Sequence, residues 1–334
     1  MPKEAVFISD NNKAAQATLE KLNALARYNG DAFVFKMVDA ALPADELARQ
    51  CKGAIAVYPG YPGGPKALTV DLVKRLPNLK LVQTGSAGTD WLDKAALAEN
   101  GVRVANNGGA NAVAVAEHTI GLMFAVYRKL DLQISSVKAG TWMDGVKGAP
   151  EEFHTLVGKR VGIVGLGRIG SRVAKRLVGW ECDVVYHDVV KLPREYEDAA
   201  KARRVGFDEL LSTSDIVSLH VPLERTTRHM MSDREFGLMK PTAVLINTCR
   251  GPVVDEAALT RALKGKVIAA AGLDVTEVEP VQVDNPLLKI PNVVLTPHLA
   301  TRAIESTVNA QEFVVANITR LARGEEVLSV VPPV

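Results

Sequence analysis

Residues 161–177, VGIVGLGRIGSRVAKRL, decide the fold. An apolar run, RVGIV, leads into Gly165, Gly167 and Gly170 at the spacing GxGxxG, and SRVAKRL, of helix-forming composition, follows. A glycine triplet alone could be no more than a tight turn. A strand before it and a helix after it are the setting that a dinucleotide-binding turn requires. There Gly165 permits the turn, Gly167 lets a pyrophosphate approach the backbone, and Gly170 lets the helix pack closely on the strand, while the helix N-terminus offers free N–H groups. The next apolar run, CDVVYHD, ends in Asp188, whose carboxylate can accept bonds from adenosine ribose hydroxyls and repel a 2′-phosphate. NAD is therefore expected in preference to NADP, although Lys191 and Arg194 just beyond could take a phosphate if they fold inward.

Working outward, β-rich runs alternate with helix-like ones along most of the chain. AVFIS, DAFVFKMV, GAIAVYP, LKLVQTG and VRVAN form a first series, and RVGIVG, CDVVYHD, DIVSLHV, TAVLINT, VIAAAGLDV and NVVLTPH a second. Strands spaced by helices imply βα units and parallel sheets. The fold expected is α/β, with two doubly wound parallel-sheet domains. Between the series, NAVAVAEHTIGLMFAVYRKLDLQISSVKAG reads as one uninterrupted helical stretch, entered through the crossover NNGGAN. After His298, TRAIESTVNAQEFVVANITRLARG is helical with no strand series of its own, so it should pack back on the first domain. A substrate domain is thus expected over 1–104 and again over 299–334, with a nucleotide-binding domain, 105–298, inserted into it.

Composition narrows the partners. Among 334 residues, 40 basic and 38 acidic side chains nearly cancel, and neither sign forms a block, so nothing marks a nucleic-acid surface. The apolar run around GLMFAVY is bounded by Glu117 and His118 on one side and Arg128 and Lys129 on the other, too short to span a bilayer. MPKEAVFISD is too poor in apolar residues for a signal peptide and resembles a first strand. Cys51, Cys182 and Cys249 are widely separated and fit neither a disulfide framework nor a metal spacing. Small-molecule substrates, a cytoplasmic location and no metal are expected.

Three motifs end strands of the second series, where a doubly wound sheet places its ligands. INTCRG carries Arg250, GLDVTEVEP carries Asp274 and Glu279, and LTPH carries His298. With the glycine turn, this order of Arg, Glu and His resembles the D-isomer-specific 2-hydroxyacid dehydrogenases. The likeness runs from GSAGTDWLD through NAVAVAEHTIGL to LTPH, nearly the whole chain. It implies a Rossmann NAD-binding domain inserted into a flavodoxin-like substrate domain, and oxidoreduction between a D-2-hydroxy acid and its 2-keto acid.

Such a reaction needs a cation for the carboxylate, a base for the hydroxyl proton and a nicotinamide to exchange hydride with C2. Arg250 would supply the cation and His298 the acid/base, with Glu279 orienting the imidazole and favouring its protonated form. Of the six histidines only His298 ends a late strand beside a proline; His118, on the long helix, has no such setting. The resemblance further implies that Arg168 and Ile169 lie at the pyrophosphate. Val221, Pro222 and Thr227 of VPLERTTRHM would contact the cofactor, Thr248, Cys249 and Arg250 would flank its nicotinamide half, as would His298, and Asp274 would approach the nicotinamide ribose or amide. Ala87 and Gly88 would offer N–H groups to the substrate carboxylate.

The family's substrate-selecting loop, YPGYPGGPK here, holds Tyr58 and Tyr61, with Lys66 its only base, which favours an unphosphorylated acid. After His298 the chain departs from the family in LATRAIES, where a smaller residue usually stands at the Thr301 position. Trp142 matches a tryptophan able to reach a neighbouring subunit's pocket, and a homodimer through the long-helix domain is expected. Two other activities share this scaffold: phosphite oxidation, which keeps the Arg, Glu and His, and an NAD-sensing, corepressor-like interaction module.

Overall fold

The computed structural model describes residues 3–60, 63–145 and 153–333. Two compact units emerge: Met1–Asn111 with Ala303–Val334, and Ala112–Arg302. The breaks fall at 111/112 and 302/303, where the sequence reading sets them at 104/105 and 298/299.

The first unit holds a parallel sheet of β1 (Lys3–Ser9), β2 (Phe33–Asp39), β3 (Ala54–Pro59), β4 (Leu81–Gln83) and β5 (Arg103–Ala105), in the order β2-β1-β3-β4-β5. That is the flavodoxin-like order. The crossover helix from β1 to β2, Lys13–Tyr28, starts where the Asn12 side chain accepts from the Ala15 N–H, satisfying one of the donors a helix N-terminus leaves orphaned. Its buried Leu22 and Ala26 share a core with Val314, Val315 and Ile318 of the last helix, Ile304–Arg323. The return of the chain is thus anchored by apolar packing; truncating a side chain such as Ile318 to alanine would cost about 2–5 kcal/mol.

The second unit holds β6 (Arg160–Val164), β7 (Asp183–His187), β8 (Arg203–Arg204), β9 (Ile216–Leu219), β10 (Val244–Asn247), β11 (Ala270–Leu273) and β12 (Val293–Leu295). All pair in parallel, in the order β12-β11-β10-β9-β6-β7-β8. This is the Rossmann order with one further strand beyond β11. Both faces are buried, as parallel sheets require. Val161 and Ile163 pack on one side with Val244 and Ile246, while Val164, Val217 and Leu245 pack on the other. The two-residue β8 is too short to leave a periodic signal, and the sequence reading has no strand there.

The long helical stretch requires a correction. Instead of one uninterrupted helix, the chain forms Ala112–Arg128 and Leu130–Lys138, separated by Lys129 in the left-handed region at φ 47°. The Arg128 carbonyl, left without a helical partner, is taken by the Gln133 side chain. No glycine or proline marks the break, because a single lysine supplies the reversal. Burial separates the two pieces: the first buries nine residues, including Ile120 and Met123, whereas the second exposes Leu130, Ile134 and Val137.

Candidate active site

The glycine turn sits between the C-terminal ends of β6 and β9, the point at which the strand order of the sheet reverses. Gly165 has φ +91°, and a Cβ there would lie 2.8 Å from the His220 carbonyl oxygen. At Gly170 a Cβ would meet the Gly165 carbonyl at 2.2 Å, so the start of the helix Gly170–Leu177 is pressed onto the turn. Nothing lies within 4 Å of the Cβ position at Gly167, which is exposed. Two glycines fill close contacts and one opens the backbone, the arrangement that accepts a pyrophosphate. Both oxygens of Asp188 are already oriented, one accepting from the Leu166 N–H at 3.0 Å and the other from the Val190 N–H at 3.0 Å. An ionised carboxylate offers about four lone-pair sites, so acceptor capacity remains for ribose hydroxyls. Arg168 is exposed and Ile169 half-buried at the turn, with Val221 and Pro222 following β9. Thr227 closes that loop by accepting from the Glu224 N–H and donating to the Pro222 carbonyl.

Arg250, Glu279 and His298 stand at the ends of β10, β11 and β12. Their loops are tied together by backbone contact at Gly251, where a Cβ would lie 1.8 Å from the Thr276 carbonyl, so only glycine permits the β10 loop to approach the β11 loop this closely. Glu279 follows Thr276 through a short turn, its Oε1 accepting from the Thr276 N–H at 3.2 Å and its Oε2 lying 2.6 Å from His298 Nδ1. Because an ionised carboxylate only accepts, Nδ1 carries the proton, and Nε2 is left as the ring atom that can exchange one. Hydrogen bonding to Glu279 raises the His298 pKa above the ordinary histidine value; burial opposes this, and so does the Arg250 charge. For Glu279, burial pushes the pKa up, but the bond to His298 and the charges of His298 and Arg250 outweigh it and hold the carboxyl below its ordinary value. Arg250 is near enough to act on both partners, and its Nη1 donates to the Cys249 carbonyl at 2.7 Å.

Asp274, 1% exposed, sits at the end of β11 beneath this cluster. Its Oδ1 accepts from Thr296 Oγ1 at 2.5 Å and the Leu299 N–H at 3.0 Å, and its Oδ2 from the Ala300 N–H at 2.8 Å. The His298 N–H donates to the Asp274 main-chain carbonyl at 2.8 Å. Burial raises the Asp274 pKa, but hydrogen bonding from the His118 side chain, then from Thr296 and the Ala300 and Leu299 N–H groups, prevails and keeps it below the usual value. The turn that carries His298, itself in the left-handed region at φ 54°, is therefore wound around one buried carboxylate.

His118 was passed over by sequence reasoning, yet its Nε2 lies 2.9 Å from Thr296 Oγ1 and 3.4 Å from Asp274 Oδ1. Its neighbour Thr119 reaches Thr248 Oγ1 at 2.9 Å in the β10 loop. A signal was present in the AEHTIGL segment, where Glu117, His118 and Thr119 interrupt a largely apolar helix. Cys249, whose thiol burial pushes up to about 11, bonds with Asn247 beside Arg250.

The proposed substrate contacts in the first unit form a separate constellation. Tyr58 at the end of β3 stacks on Phe7 at 5.3 Å, and its hydroxyl lies 2.8 Å from the Cβ position of Gly85. In the turn after β4, the Ala87 carbonyl accepts from Asn106 Nδ2 at 3.3 Å, and Ser86 donates to the Gly88 carbonyl at 2.8 Å. Among the described residues, no acceptor meets the Ala87 or Gly88 N–H. Tyr61 lies outside the described residues. Trp142 is 71% exposed. Among the described residues, no group of three or more His, Cys, Asp or Glu is placed to hold a metal, and no helix is long and apolar enough to cross a membrane.

Comparison with known proteins agrees with this geometry. The profile described as D-isomer specific 2-hydroxyacid dehydrogenase, NAD binding domain, matches residues 120–300. A glycerate dehydrogenase of Methylorubrum extorquens is 32% identical over 330 residues, covering 97% of this chain and 98% of its own. The crystal structure of a glyoxylate reductase from Paecilomyes thermophila superposes with TM-score 0.85 at 33% identity, over 99% of both chains. The apo D-mandelate dehydrogenase of Rhodotorula graminis gives TM-score 0.86 at 29% identity, over 99% of this chain and 98% of its own. The chain belongs to the D-isomer specific 2-hydroxyacid dehydrogenases, oxidoreductases that interconvert 2-hydroxy and 2-keto acids with a nicotinamide dinucleotide.

Proposed function

We propose that this enzyme uses NAD to interconvert an unphosphorylated D-2-hydroxy acid and its 2-keto acid. His298 is the acid/base, Glu279 its partner and Arg250 the carboxylate ligand. The observation that carries this is the 2.6 Å contact between His298 Nδ1 and Glu279 Oε2 with the Arg250 charge beside both. In the keto-acid direction, Arg250 binds the carboxylate through its two-pronged guanidinium. His298, kept protonated by Glu279, gives a proton from Nε2 to the C2 oxygen, and in the other direction Nε2 takes it back. The nicotinamide, when bound, supplies or accepts the hydride at C2. Gly165, Gly167, Arg168, Ile169 and Gly170 would hold the pyrophosphate and Asp188 the adenosine ribose. Val221, Pro222, Thr227, Thr248, Cys249 and Asp274 line the remaining path. Ala87 and Gly88 would donate N–H groups to the substrate carboxylate, and Tyr58 would face the acid's side chain.

The substrate class follows from the loop around Tyr58, whose only base is the exposed Lys66. The relatives' names include the unphosphorylated glyoxylate, glycerate and mandelate, but also 3-phosphoglycerate in two dehydrogenases 38% and 36% identical, so the loop and not the names carries this class. The family match favours neither phosphite oxidation nor a corepressor-like role. The exposed apolar side chains of Ile134, Val137, Trp142 and Met143, 53–76% accessible, support a homodimer through this segment. The free thiols of Cys51, Cys182 and Cys249 suit a reducing, cytoplasmic setting.

The test is a panel of glyoxylate, hydroxypyruvate, phenylglyoxylate and 3-phosphohydroxypyruvate with NADH or NADPH, followed by loss of the reduced cofactor's absorbance. Turnover of one or more unphosphorylated acids, with NADH preferred by about tenfold or more in kcat/KM, is expected, because a tenfold ratio needs only about 1.4 kcal/mol of like-charge repulsion at Asp188. Preference for the phosphorylated acid would overturn the substrate class, and equal use of NADPH the cofactor assignment. Light scattering should give twice the chain mass, falling to one chain mass in Ile134→Glu.

A further inference from the structure

We propose that His118 is a positioning residue that sets the acid/base turn from the long helix, by donating through Thr296 to the carboxylate around which His298 is wound. The inference rests on the reading of His298 as the acid/base.

The direction of the chain follows from counting protons. Thr296 has one hydroxyl hydrogen, and its 2.5 Å contact with Asp274 Oδ1 consumes it, because an ionised carboxylate can only accept. Thr296 Oγ1 must therefore be the acceptor in its 2.9 Å contact with His118, and His118 Nε2 carries the hydrogen. The relay runs from His118 Nε2–H to the Thr296 hydroxyl to Asp274 Oδ1, with the same Nε2 also 3.4 Å from Oδ1, and the carboxylate then receives the Leu299 and Ala300 N–H groups directly after His298. Thr119, one residue on, accepts from Thr248 while donating to the Val115 carbonyl, so two adjacent helix residues hold the loops of β12 and β10. A buried carboxylate with fully used donors is rigid, and losing one donor loosens the whole network. Charged and titratable groups reach His298 from each strand end: Glu279 and Arg250 from the neighbouring loops, and Asp274 from below. Of these, Glu279 and Asp274 favour the imidazolium and Arg250 opposes it. Displacing the turn lengthens the Glu279 contact, the largest influence that keeps His298 protonated.

The test compares His118→Gln, whose Nε2 can reproduce the donor, with His118→Asn, which is polar but too short to reach Thr296. His118→Asn should lower kcat for keto-acid reduction about tenfold or more, leave the NADH KM within about twofold, and move the high-pH limb of kcat/KM to lower pH by several tenths of a unit. His118→Gln should recover most of both. Thr296→Val, which removes its own bond to Asp274 but leaves His118 Nε2 3.4 Å from Oδ1, should give the same kind of phenotype, and combining it with His118→Asn should cost less than the sum of the two, since both act on one carboxylate. Equal behaviour of the Gln and Asn variants, an unmoved pH limb, or additive effects would overturn the proposal. Failure of the acid/base reading looks different: Glu279→Gln would then leave the pH limb of the otherwise wild-type enzyme in place.

Discussion

The loops at the strand ends of the two sheets are built by opposite means. In the second unit the candidate chemistry is carried by side chains: Glu279 and His298 bonded to each other, with the Arg250 charge acting on both. In the first unit the turn after β4 offers backbone amides, and neutral side-chain amides hold it: Asn107 Nδ2 donates to the Gly85 carbonyl at 3.3 Å, and Asn106 Nδ2 to that of Ala87. Deeper down, Gln83 donates to the Thr84, Ala105 and Asn106 carbonyls and accepts from Asn317 of the last helix. Charged side chains suit proton transfer because their protonation can be tuned; backbone amides suit fixed recognition because they cannot titrate. On the proposed roles, the charged set should govern the rate and its pH dependence as well as hold the acid's carboxylate through Arg250, whereas the amide set should bear on affinity alone.

The sharpest break of that comparison is at Arg250. Lysine keeps the charge but loses the paired donors, so Arg250→Lys should reduce kcat/KM for the keto acid by about 10²-fold, since a misplacement of about 1 Å can cost that much. NADH affinity, measured by fluorescence titration, should barely change, because the proposed place of the pyrophosphate is the glycine turn. If the variant instead lost NADH binding and kept normal turnover at saturating cofactor, Arg250 would be a nucleotide ligand.

Glu279→Gln comes next. Its expected effect has a definite sign: Glu279 raises the His298 pKa, and if His298 is the proposed proton donor, reduction should fade as pH climbs through that raised value. Removing the carboxylate charge should shift the fading limb to lower pH and lower kcat roughly tenfold at neutral pH. The same interaction has a stability signature. A histidine whose pKa is raised on folding contributes stability that is fully present below the unfolded value and disappears as pH rises through the folded one. The loss in melting temperature caused by Glu279→Gln should accordingly be larger in mild acid than above neutrality. A pH–rate profile indistinguishable from wild type would remove Glu279 as the partner.

How much of this was legible in sequence divides along the same line. The glycine turn could be read because Gly165 and Gly170 fill contacts that admit only the smallest residue while Gly167 leaves the backbone open, and Asp188 because a carboxylate ends the following strand. Arg250, Glu279 and His298 could be singled out because their residue types announce chemistry at strand ends; whether they perform it awaits the variants above. The strand series was legible from continuous apolar runs, which buried parallel strands produce. The Lys129 break left no trace, since a left-handed lysine has the same local pattern as a helical one. His118 was missed for a different reason. Its partners lie 156 and 178 residues away in sequence, so only folding brings the helix to the β12 turn. The asparagines of the first unit were equally silent, because side-chain amides in a glycine-rich crossover look like ordinary turn residues.

The smallest effect is expected from those asparagines, and it isolates the role of the first unit. Asn107 does two things there: its Nδ2 donates to the Gly85 carbonyl, and its Oδ1 accepts from the Gly109 N–H at 3.0 Å. Its own N–H donates to the Ser86 carbonyl at 3.1 Å, a bond that survives substitution. Asn107→Ala therefore reduces this residue's own tethers to the turn from two bonds to one, beside the Asn106 bond to the Ala87 carbonyl, and frees the Gly109 N–H. Each neutral bond of this kind is worth about 1 kcal/mol, so a looser amide pair should raise the KM for the keto acid by about fivefold. The kcat and the pH limb should stay where they are, because no titrating group has moved. Steady-state kinetics across pH would read all three quantities from one data set. A shift of the pH limb in Asn107→Ala would mean that the two sets of loops are not separable in function, and the division between a titrating half and a recognising half would fall.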